Sequence, residues 1–115
     1  MRGLIFLFSI FVAFPAHADL GEQSAKLYFG NMSAWHRSTT VVRSAAVWVF
    51  VNKFLPQASE RDRAGMTAQI VICMNQIGKR EPGETAADND KFRSQIEVSG
   101  AITNCVRAMA AGLGR

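Results

Sequence analysis

A chain of 115 residues, 49% of them hydrophobic, has room for one domain and excludes a two-domain enzyme. Its apolar half and only three prolines exclude a disordered chain. Thirteen Lys and Arg stand against nine Asp and Glu, with no cluster of five basic residues, so the concentrated basic stripe that nucleic acid requires is missing.

The first eighteen residues have the parts of an export signal. Met1-Arg2-Gly3 is a short basic start, and Leu4 to Phe14 is an eleven-residue apolar run interrupted only by Ser9. Pro15 ends it, and Ala16-His17-Ala18 supplies small residues at the −3 and −1 positions ahead of Asp19. As a helix, eleven residues span about 16 Å, roughly half a bilayer's hydrocarbon core, which is too short for a stable anchor. The expectation is a signal peptide over residues 1–18 and one periplasmic domain over 19–115, with no membrane anchor after cleavage. That domain has 97 residues, 44% of them hydrophobic, and 12 basic residues against 9 acidic ones.

Cys73 and Cys105 are the only cysteines, and in an oxidising compartment an even count in a small exported chain reads as a disulfide. The alternatives are two buried thiols or an intermolecular bridge. An intramolecular bond closes a loop of about 33 residues, valued by chain entropy at roughly 3–4 kcal/mol. No CxxC or CxxCH occurs, so a thioredoxin-like site and a c-type haem are excluded.

The fold class expected is all-α, a bundle of about four helices. The first runs from about Glu22 to Ser33, with Gly30-Asn31 a place for an early end and Trp35 to Ser38 a connector. The second, Thr39 to Leu55, is pulled both ways. Its length without Gly or Pro, and Ala45-Ala46, favour helix, whereas Thr39 to Val42 and Val47 to Val51 are β formers. Helix is preferred, its all-round apolar second half being the buried centre. Pro56 ends it.

Ser59 with Asp62 matches a capping box and opens the third helix, whose Met66, Ile70, Cys73, Met74 and Ile77 recur at helical spacing. Gly78 stops it, with Lys79-Arg80 at its negative end. Lys79 to Asn89 reads as a solvated loop around Pro82-Gly83. The fourth helix starts near Asp88-Asn89-Asp90 and turns Phe92, Ile96, Ser99, Ile102, Cys105, Val106 and Met109 inward. Cys73 then lies five residues before its helix ends and Cys105 about fifteen after the next begins, an offset of about 15 Å. A disulfide between them predicts a loop that climbs along the bundle.

After cleavage His36 is the only histidine, and it stands at no motif spacing from a Ser or Cys, so no enzyme activity is expected. With no HExxH and both cysteines in a bond, no metal site and no cofactor are expected. Asp88-x-Asp90 opens like a calcium loop, but Phe92, Ser94 and Ile96 do not continue it. Protein binding is the expectation that is left. The candidate contacts are Lys79, Arg80, Glu81, Glu84, Asp88 and Asp90 of the charged loop, together with Trp35 and His36 beside Tyr28 and Phe29.

The Phe-rich signal, Cys73, Cys105 and the capped helix pair around the Lys79–Asn89 loop give a layout that resembles the periplasmic immunity proteins of type VI secretion amidase effectors. The resemblance spans the mature chain in layout, with no motif that carries a functional residue over position by position. It implies a protein that occludes the catalytic cleft of a peptidoglycan-cutting amidase by inserting a loop or helix end, and one able to form a homodimer. The alternatives are a stress chaperone similar to the small acid-activated periplasmic holdases, and an accessory subunit of an envelope complex.

Overall fold

The computed structural model describes residues 20–113, with side chains through Ala111; the expected signal peptide, 1–18, lies outside them. Six helices and no strand occur among the described residues: α1 (20–28), α2 (Met32–Arg37), α3 (Thr40–Phe54), α4 (Glu60–Gln76), α5 (Ala86–Ser94) and α6 (Val98–Leu113). The all-α class holds, and the count is six where the periodicity predicts four.

Both extra helices come from breaks inside expected ones. The first expected helix ends after Tyr28, and Asn31 caps α2 by accepting the Ala34 N–H at 3.0 Å, so the Trp35 connector is helical. The fourth divides at Gln95 to Glu97, where no Gly or Pro stands. There the Ile96 carbonyl accepts the Met32 N–H at 2.8 Å, and the Val98 N–H reaches the Gly30 carbonyl at 2.9 Å, around an antiparallel bridge between Asn31 and Glu97. Two loops satisfy each other's backbone groups, and that pairing replaces helix continuity.

The start of α5 corrects a second expectation. Its cap is Thr85, which accepts the Asp88 N–H at 3.1 Å, and not Asp88, Asn89 or Asp90. Ser59 caps α4 as its sequence predicts, accepting the Asp62 N–H at 3.0 Å.

The ambiguous segment is helical. Val42, Ala46, Val47 and Val51 of α3 are buried at helical spacing, and burying that one face outweighs the small helix penalty of β-branched residues. The second half is not a buried centre, however: Val49 is 54% exposed and Phe54 63%. The core gathers Leu27, Met32, Trp35, Val47, Val51, Ile70, Met74, Val98, Ile102 and Cys105. α3 packs on α4, α4 on α6, and α2 on α5. Phe92, expected on the inner stripe, is 51% exposed because α5 turns away from the face that α6 buries.

Cys73 and Cys105 form the disulfide, with Cα atoms 6.0 Å apart. Because α6 starts at Val98, Cys105 lies seven residues into its helix and Cys73 three from the end of α4. The offset falls to about 6 Å, and α5 fills the stretch where a climbing loop is predicted.

Candidate functional site

Three helices meet at Trp35, which is fully buried. Its indole Nε1–H donates to Asn75 Oδ1 of α4 at 3.0 Å. Arg43 of α3 lies over the Trp35 ring at 5.7 Å and donates three ways: Nε to the Trp35 carbonyl at 2.8 Å, one terminal nitrogen to Asn75 Oδ1 at 3.1 Å, and the other to the His36 carbonyl at 3.0 Å. One guanidinium therefore fixes the end of α2 against both α3 and α4.

The end of α4 is built from other helices. Its last turn has no basic residue, so its terminal carbonyls need outside donors. His36 Nε2 lies 2.7 Å from the Ile77 carbonyl, and since a carbonyl only accepts, that nitrogen carries the proton. The Gly78 carbonyl accepts from Arg93 Nε at 2.6 Å and Asn89 Nδ2 at 3.1 Å. Gly78 has φ +75°, and a Cβ there would sit 2.9 Å from Arg93 Cγ, so close packing and backbone both call for glycine. Lys79 and Arg80, expected at this negative helix end, are instead exposed, and His36 and Arg93 take that place.

Burial holds the His36 pKa below the ordinary value, the Ile77 hydrogen bond pulls it back up, and the Arg93 and Arg43 guanidiniums lower it further.

From this base the chain runs out as the loop 79–85. Glu84 folds back, accepting the Glu81 N–H at 3.1 Å and Asn89 Nδ2 at 3.3 Å on the same carboxylate oxygen. Its backbone N–H reaches the Glu81 carbonyl at 3.1 Å, and Gly83 takes φ +87° at the tip. Lys79, Arg80 and Glu81 remain exposed on this braced loop, above a pocket of about 240 Å³ that also touches Phe92.

The eight predicted contact residues thus range from exposed to fully buried. Lys79, Arg80, Glu81 and Asp88 are exposed, and Glu84 is half-buried as the loop's internal acceptor. Asp90 is exposed but engaged, accepting from Ser33 Oγ at 2.8 Å and facing Arg37 at 3.6 Å. His36 is half-buried beside Ile77 and Gly78 at the end of α4, and Trp35 offers a partner no surface at all. Tyr28 and Phe29 stack edge to face at 5.0 Å, with Phe29 81% exposed.

No protein-family model, curated protein or solved structure matches the chain.

Arg43, Asn75 and Arg93, which hold the site together, carry no signal in the sequence, and Asn89, which reads there only as a possible cap of the fourth helix, joins them. Nothing local marks that role, because each is defined by a carbonyl or amide on another helix. Thr85 differs: three residues ahead of Asp88 it repeats the pattern of Ser59 ahead of Asp62, and that signal was available. No group of three metal-ligating side chains occurs among the described residues, and no described helix is long and apolar enough to cross a membrane.

Proposed function

We propose that the protein works in the periplasm by binding another protein, and that it is an immunity protein whose loop 79–85 occludes the active-site cleft of a peptidoglycan-cutting amidase. What supports this is a loop that is exposed and yet fixed. Lys79, Arg80 and Glu81 face solvent while the Gly78 carbonyl takes two hydrogen bonds and the Glu84 carboxylate two more. A charged loop already held in shape loses little conformational freedom on docking, which is how compact inhibitors convert a small contact into affinity.

The test is co-expression with periplasmic amidase toxins, together with titration of the purified pair. The protein is expected to rescue growth, and the double variant Lys79→Glu/Arg80→Glu to lose rescue and about 100-fold in affinity at unchanged melting temperature. Rescue that survives the double variant removes the loop from the interface.

One observation favours the chaperone reading. Phe29, Val49 and Phe54 are exposed around an apolar groove of about 320 Å³ between α1 and α3. A holdase that works through this face suppresses aggregation of unrelated proteins in acid and loses that activity on Phe29→Ser/Phe54→Ser substitution. No suppression in acid removes this reading.

A further inference from the structure

A different face carries a coherent charge. Between α1, α2 and the start of α3 runs an open groove of about 380 Å³. Its apolar lining is Leu27 and Val42, both buried, with half-buried Ala34. Its charged lining is Lys26 and Arg37, both exposed, and no acidic residue is among the described residues that line it. Thr39, also in the lining, caps α3 by accepting the Val42 N–H at 3.2 Å. That bond satisfies one of the first-turn amides and leaves the others for solvent or a ligand. The first turn of α3 has no acidic residue, so the positive end of this 15-residue helix is uncompensated by its own side chains.

We infer that this groove docks an acidic peptide segment of a protein partner. An aliphatic side chain of that segment rests on Leu27, Ala34 and Val42, and a neighbouring Asp or Glu carboxylate meets Lys26, Arg37 and the start of α3. Charge complementarity selects this occupant. A neutral segment would cover the Lys26 ammonium without pairing it and leave Arg37 only its 3.6 Å contact to Asp90, at a desolvation cost. A second copy of this chain would bring further net positive charge to a positive rim. Two cations are too few for nucleic acid, and the groove is too open to enclose an acyl chain. Arg37 already faces one carboxylate, Asp90 at 3.6 Å with both side chains more than half exposed, and its five N–H donors leave room for a second.

The groove is separate from the loop 79–85 in residues and charge, so the two stand or fall apart. The experiment is selection of a randomised seven-residue peptide library on the purified protein, in parallel with Lys26→Glu/Arg37→Gln. Both replaced side chains are exposed, so the variant is expected to fold, as thermal unfolding will check. Selected peptides are expected to place Asp or Glu beside Leu, Ile or Val, and the double variant to lose that enrichment. The best peptide is expected to shift the amide signals of Thr40, Val41 and Val42, and to bind about tenfold more weakly to Lys26→Glu and in high salt. Asp90→Asn, which frees Arg37 while keeping an acceptor for Ser33, is expected to tighten binding about threefold. Lys79→Glu/Arg80→Glu is expected to leave peptide affinity unchanged, which separates this surface from the proposed amidase contact. Peptides without acidic enrichment over the double variant, or amide shifts confined to residues 79–85, overturn the inference.

Discussion

Arg43 does the work of several residues, because its planar fork donates to two backbone carbonyls and one side-chain amide. Replacing Arg43 by Met leaves the His36 carbonyl and Asn75 short of donors, and is expected to cost about 2–3 kcal/mol. Trp35→Phe keeps most of the buried ring and leaves Asn75 Oδ1 its bond from Arg43, so about 1–2 kcal/mol is expected. Denaturant unfolding ranks the two, and the reverse order contradicts the network. His36 adds a pH dependence. Burial and two guanidiniums hold its folded pKa below the unfolded value, so the folded protein binds fewer protons than the unfolded chain. Its contribution is complete above the ordinary histidine range and is lost as pH falls below about 6.5. His36→Gln keeps an N–H donor for the Ile77 carbonyl without titrating. The wild-type protein is therefore expected to lose more stability than His36→Gln on acidification, measured as melting temperature against pH. Parallel curves would remove His36 as the cause.

At the scale of elements, the decisive contact joins 30–32 to 96–98. Met32 and Val98 are the first residues of α2 and α6, where amides ordinarily lack a helical partner. Here each donates to a carbonyl of the other strap, at 2.8 and 2.9 Å. Hydrogen exchange at both amides is expected to be slow, near the rate of the α4 and α6 interiors. Fast exchange there would mean that the helix break rests on something else. The same pairing explains why α5 packs on α2 and not along α6, and why Phe92 leaves the core.

For the whole molecule the disulfide ties α4 to α6 across the inserted α5. Cys73 and Cys105 are 32 positions apart, so the bond removes many unfolded conformations. The double variant Cys73→Ala/Cys105→Ala is expected to lose about 3–4 kcal/mol, which for a domain near 100 residues lowers the melting temperature by roughly 15–25 °C. A shift of only a few degrees would show that the core alone holds the fold. Phe29, Val41, Val49, Phe54, Ile72 and Phe92 all stay more than half exposed, a larger apolar surface than the helical stripes imply.

The sequence by itself determined what depends on neighbours a few residues apart. It set the helical class, the Ser59 cap, the stop at Gly78 and the end of α3 before Pro56, since capping, positive φ and the missing proline N–H act within one turn. It also placed both cysteines on stripes able to meet. The six-helix count was not legible, because α5 and α6 separate where backbone groups of two distant loops pair, with no breaker residue to mark it. The site was legible only as an exposed charged loop. Trp35 reads equally well as a contact residue or a core residue until Asn75 and Arg43 close around it. Only the tertiary structure decided that choice, since burial and hydrogen-bond partners belong to the packing of helices and not to any one of them.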